Sequence, residues 1–103
     1  MAKTPPHKLD GQIQKAGLPT GGQVPFVPSL DKNRKGEDII RKATVQEGPK
    51  KGKKGFVDTN GRIWIKDRAH AGDPDHWDVQ EDAGATYFRV DLNGTKLITH
   101  MLT

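Results

Sequence analysis

Cysteine is absent from all 103 residues, so neither a disulfide nor a thiolate zinc site can stabilise the chain. Apolar side chains are sparse as well. At 32% hydrophobic, the composition allows one small domain with a modest core. No apolar run reaches the length of a membrane span, and the first residues lack the apolar stretch of a secretion signal. If such a chain is exported, it is expected to travel as part of something larger or by another route.

What is present is mainly charge. The net charge is +4, which favours polyanionic partners such as nucleic acid, or an acidic protein. The two signs are also separated. Residues 48–66 hold Lys50, Lys51, Lys53, Lys54, Arg62 and Lys66 against a single acid, Asp58. In residues 67–86 the balance reverses, with six acids against Arg68. A basic flank beside an acidic, histidine-rich segment suits a site where a polyanion is held and then acted upon.

The chain divides near residue 48. Residues 1–48 contain Pro5, Pro6, Pro19, Pro25 and Pro28 with several glycines, and read as a lead-in or linker. Within it, "GEDIIRKATVQEG" (36–48) places Ile39, Ile40, Ala43 and Val45 along one side of a short helix near 37–46, closed by Gly48–Pro49. Residues 49–103 form the second unit. It opens on the flexible basic run "GPKKGKKG" (48–55) and continues with strand signals. Asn60–Gly61 and Asn93–Gly94 mark tight turns between β-prone runs, with "HWDVQ" (76–80) and "TYFRVD" (86–91) between them. The predicted class is α+β, mostly β: a small twisted antiparallel sheet of four to five strands with one short helix in the N-terminal half.

The segment "AHAGDPDHWDVQ" (69–80) is the densest in reactive groups, with two histidines, three aspartates and a tryptophan. Strand alternation divides its end. Trp77 and Val79 face the core, while His76, Asp78 and Gln80 share the other side. If this strand pairs with 86–91 across the loop 81–85, Tyr87 and Arg89 join that polar side. A base, an acid and a cation are then predicted on one surface, although any half-buried sheet has a polar face.

Three readings compete. His70, Asp73, Asp75, His76 and Asp78 could ligate zinc or magnesium. However, no pair has the i, i+4 spacing of a zinc helix, and Pro74 marks 71–75 as loop. Metal-free RNA cleavage needs only a base for the 2′-hydroxyl, an acid for the leaving 5′-oxygen and a cation for the phosphorane. Histidine and carboxylates can supply the first two, and Arg89 with the lysines the third. In the structural reading, Trp77 anchors a core and the aspartates shape turns. His7 and His100 lie outside the cluster and receive no role.

"GRIWIKDRAHAGDPDHWDVQ" followed by "YFRVDLNGTKL" resembles the C-terminal toxin domains of bacterial polymorphic toxins, including contact-dependent growth inhibition proteins. It is similar, more distantly, to the ribosomal RNase domain of the ribosome-inactivating colicins. The matching pieces are Lys50–Gly55, Arg62–Lys66, Trp77–Gln80 and Tyr87–Gly94, within about residues 50–97. The resemblance implies a toxin endoribonuclease that cuts small-subunit (16S) ribosomal RNA near the decoding site without metal or cofactor, stopping translation. It also implies a cognate immunity protein, expected to be acidic, and delivery within a larger carrier into the target-cell cytoplasm. Asp78 matches the catalytic aspartate of the colicin pattern. Where that pattern continues with a histidine, this chain has Glu81 and Asp82, which leaves His76 or His70 to stand in for it.

The expected site is therefore His76 and Asp78 sharing acid–base work, with Glu81 or His70 assisting and Arg89 stabilising the phosphorane. Lys50, Lys51, Lys53, Lys54, Arg62 and Lys66 would hold the RNA. The alternatives are a toxin nuclease acting on transfer RNA or DNA, and a non-catalytic RNA-binding domain. The latter would have only Trp64, Tyr87 and Phe56 on which to stack bases.

Overall fold

The computed structural model describes residues 8–67 and 75–97. Among the described residues, one α-helix, α1 (Lys8–Ala16), precedes eight short strands. They are β1 (Leu30–Lys32), β2 (Asp38–Ile40), β3 (Lys42–Thr44), β4 (Lys54–Val57), β5 (Ile63–Asp67), β6 (His76–Glu81), β7 (Thr86–Asp91) and β8 (Lys96–Leu97). β1 and β2 form a hairpin of their own, while β3 to β8 form a six-stranded antiparallel sheet in sequence order. The class is mostly β, as expected, with more strands than the four to five predicted. No described helix is long and apolar enough to cross a membrane.

The helix lies elsewhere than predicted. Residues 38–40 and 42–44 are strands, and the helix forms at 8–16. The β-branched pair Ile39–Ile40 and the Thr44–Val45 pair favour extended backbone. Their burial also follows a sheet pattern. Ile40 enters one core and Val45 another, with Ala43 beside Val45, whereas a helix would have gathered all three on one stripe. In α1, Leu9 and Ile13 are one turn apart and both buried. Gly17, at φ +79°, ends the helix. Its N–H donates to Gln14 O and the Leu18 N–H to Ile13 O, both at 3.1 Å, while Leu18 packs in the same core as Ile13.

Both Asn–Gly turns form as read. Asn60–Gly61 joins β4 to β5, and Asn93–Gly94 joins β7 to β8. Each is organised by an aspartate at the end of its first strand. Asp58 Oδ1 accepts from the N–H groups of Asn60 and Arg62, and Asp91 Oδ1 from those of Asn93 and Thr95, all at 2.9 Å.

Two apolar clusters lie on opposite faces of the six-stranded sheet. The larger gathers Trp64, Trp77, Val79, Phe88 and Val90 beneath Leu9, Ile13, Leu18, Phe26 and Ile40. The proline-rich first half thus supplies half of this core. Its rings meet edge to face, with Phe26–Trp64 centroids at 5.3 Å and Trp64–Trp77 at 6.1 Å. The smaller cluster is Val45, Val57, Ile63 and Ile65, with Ala43 against it.

Candidate active site

β6 holds the site by alternation and register. Its antiparallel partners on β7 place Asp78 opposite Arg89 and Gln80 opposite Tyr87, the pairing that the sequence predicts across the loop 81–85. On its other side, β5 places Asp67 opposite His76, Ile65 opposite Asp78 and Ile63 opposite Gln80. His76, Asp78 and Gln80 therefore share a face with Asp67 and with the smaller apolar cluster.

That face is not open. Relative exposure is 5% for His76, 2% for Asp78 and 1% for Gln80, against an expected solvated surface. The reason is a distant segment. The connection from β3 to β4 folds over the sheet and docks on the turn Asp82–Gly84, where the N–H groups of Gln46 and Glu47 both donate to Ala83 O. Gly48 and Gly84 meet backbone to backbone, so close that a Cβ on Gly48 would stand 2.0 Å from Gly84 O. Val45 enters the smaller cluster beneath this cover.

Lys50 reaches down from the same connection. Its Nζ lies 3.3 Å from Asp78 Oδ2 and 3.8 Å from Asp67 Oδ2. His76 Nε2 stands 3.3 Å from Asp67 Oδ2 and 3.4 Å from Asp78 Oδ1. Arg89 approaches from β7, with Nε 3.6 Å from Asp78 Oδ1. Asp78 is thus enclosed by an imidazole and two cations, yet its Oδ1 accepts no hydrogen bond. Gln80 Oε1 is also buried without a hydrogen-bond partner, while its Nε2 donates to Asp78 O at 3.2 Å. Solvent meets the cluster through Arg89, whose side chain is 48% exposed, and less through Lys50 and Asp67.

The other predicted residues are dispersed. Glu81 lies on β6 with the parity of Trp77 and Val79, so it points away from His76 and Asp78 and lies near Arg62 and Asp82. Arg62 donates from Nε to Asp58 Oδ2 at 2.8 Å and belongs to the turn. Lys66 stands over the Trp77 ring, 5.7 Å from its centroid, on the opposite face of the sheet. Lys51, Lys53 and Lys54 are exposed beside Lys50. Asp75 is partly buried just before β6. His70 and Asp73 lie outside the described residues. Trp64, expected as a stacking surface, is fully buried and Phe56 partly so, leaving Tyr87 as the exposed ring.

Asp67 was not among the predicted residues, and Lys50 was expected only as a backbone contact. The sequence signal for Asp67 is the β5–β6 register, which sets it directly across from His76. No protein family, curated protein or solved structure matches the chain.

Proposed function

We propose that the protein is a metal-independent endoribonuclease of the interbacterial toxin kind. The observation that carries this is the setting of Asp78. A buried carboxylate without a full set of hydrogen bonds lies 3.4 Å from an imidazole, with Lys50 and Arg89 beside it. Most buried carboxylates that serve structure alone have their acceptors filled. Here the acid–base pair and the cations needed for transesterification meet at one point.

His76 and Asp78 divide the proton work. One takes the proton from the ribose 2′-hydroxyl as that oxygen attacks phosphorus; the other gives a proton to the departing 5′-oxygen. The products are a 2′,3′-cyclic phosphate and a new 5′-hydroxyl. Arg89, more exposed than Lys50, meets the charge growing on the phosphorane. Lys50 turns from Asp78 to the incoming phosphate, which uncovers the carboxylate as substrate binds. Lys51, Lys53 and Lys54 extend the basic edge along the RNA backbone, so binding weakens steeply with salt.

The target follows from the toxin-domain resemblance. It is small-subunit ribosomal RNA near the decoding site, reached in the cytoplasm of a competing cell after delivery within a larger carrier. An acidic immunity protein covering the Lys50–Arg89 edge would complement its charge. To test the reading, intact ribosomes are incubated with the protein in EDTA and new RNA ends are mapped. The expected result is one cut in small-subunit RNA that persists in chelator. Cutting should fall by about 100-fold or more in His76→Ala or Asp78→Ala. Full cutting by both variants would refute the assignment. Ends in transfer RNA or DNA would move the target, and tight RNA binding without cutting would favour the non-catalytic domain.

A further inference from the structure

We propose that Asp67, His76 and Asp78 also form a binding site for a divalent metal of the zinc class, which enters by displacing Lys50 and leaves the enzyme inactive. Each residue offers one ligand atom, and the three atoms lie within 4.8 Å of one another. The two nearest separations, 3.3 and 3.4 Å, both run from His76 Nε2 to a carboxylate oxygen. Bonds of zinc length, arranged tetrahedrally, would place donors about 3.3 Å apart. Two of the three edges between the protein ligands therefore exist already, and only the third, between the carboxylates, remains to close.

The second observation is Asp78 itself. Its side chain is 98% buried, since 2% remains exposed, and its Oδ1 faces His76 Nε2 while accepting no hydrogen bond. A carboxylate at such depth, with the partly exposed Asp67 beside it, needs positive charge close by. Lys50 provides it, from a partly exposed side chain on a connection between strands. A dication bonded to all three ligands supplies more charge at shorter range, so metal and ammonium compete for one place. Imidazole with two carboxylates suits zinc, whereas magnesium prefers oxygen ligands in an octahedron.

The inhibitory consequence rests on the nuclease reading, because a metal there occupies the two groups that would move protons. The binding does not rest on it. The test is calorimetric titration of the metal-free full chain with zinc, alongside cobalt titration followed by visible absorption. The expected result is one saturable site with a tetrahedral cobalt spectrum. His76→Gln and Asp67→Asn should each weaken it by about tenfold or more, while Lys50→Ala should tighten it by about tenfold by removing the competing charge. Asp67 is partly exposed, so Asp67→Asn reads the site even if a buried substitution unfolds the chain. Affinity unchanged in both ligand variants, or weakened in Lys50→Ala, would overturn the proposal. So would a preference for magnesium. RNA cutting measured in EDTA tests the nuclease reading by itself, and in a parallel reaction of metal-free protein without chelator, stoichiometric zinc should suppress it. Cutting that rises with zinc would overturn the inhibitory role.

Discussion

Asp58 and Asp78 are equally buried, each 2% exposed, and both belong to the six-stranded sheet region, yet their surroundings are opposite. Asp58 accepts four hydrogen bonds of 2.8–2.9 Å, from Asn60 N, Arg62 N, Arg62 Nε and Trp64 Nε1. Its charge is shared among donors held in place by its own turn and by Trp64 on β5. Asp78 has Lys50, His76 and Arg89 at 3.3–3.6 Å, and one of its oxygens accepts no hydrogen bond. The first arrangement favours the fold, because filled acceptors offset the cost of burying a carboxylate. The second gives up part of that offset and keeps a charged, incompletely satisfied group next to an imidazole. Substitutions at each site should therefore separate stability from activity.

Asp58→Ala should have the largest effect on stability. It strands the buried Trp64 N–H, releases Arg62 and removes the acceptor that shapes the Asn60–Gly61 turn. A loss of about 3–5 kcal/mol is expected in urea unfolding, with specific RNA cutting retained by the fraction that remains folded. A loss under 1 kcal/mol would mean that Asp58 is no more structural than Asp78.

Gly84→Ala tests the cover over Asp78. Gly84 has φ +108°, and a new Cβ would lie 2.1 Å from Glu47 O and 2.5 Å from a Val45 methyl. Strain and overpacking should cost about 1–3 kcal/mol. Amide exchange should quicken at Gln46 and Glu47, whose N–H groups hold the cover to Ala83. Unchanged exchange there would show that the 46–53 connection stays seated by other contacts.

The contrast also explains what could be read from sequence. Alternation and the Asn–Gly turns are local signals. They correctly separated Trp77 and Val79 from His76, Asp78 and Gln80, and aligned Asp78 with Arg89. Whether the polar side is wet depends on residues 46–53, which lie 23–34 positions before it in the chain, and no periodicity within β6 reports that. Asp67 escapes a reading that pairs β6 only with the strand after it, because its other neighbour, β5, brings Asp67 to His76. The misplaced helix has a similar cause. Ile39, Ile40, Ala43 and Val45 fit a helical stripe as well as they fit two strands serving two cores, and only tertiary packing decides. Leu9 and Ile13 lay in a proline-rich half where so few apolar residues suggested no core.

Asp78→Asn should move stability far less than Asp58→Ala. The substitution keeps the shape, removes a buried charge and breaks no hydrogen bond at Oδ1. Lys50 and Arg89, the cations it leaves behind, both reach solvent. We expect the unfolding free energy to change by less than about 1 kcal/mol, while cutting is lost. A destabilisation matching that of Asp58→Ala would make the cluster a structural ion network and remove the main support for an active site.

The smallest effect is expected at Gln80, which shares the face with Asp78 but has no assigned proton to move. Its Oε1 is buried without a partner, and its Nε2 makes one bond, to a carbonyl within its own strand. An unfilled acceptor at 1% exposure costs free energy that an apolar side chain of similar length would not incur. Met is such a side chain, unbranched and able to follow the same path past Ile63. Gln80→Met should therefore leave stability unchanged or raise it by about 1 kcal/mol. A loss above 2 kcal/mol would show that Oε1 is satisfied in solution, as by a bound water. The polar face would then be as complete as the Asp58 turn, and its open acceptors would no longer distinguish it.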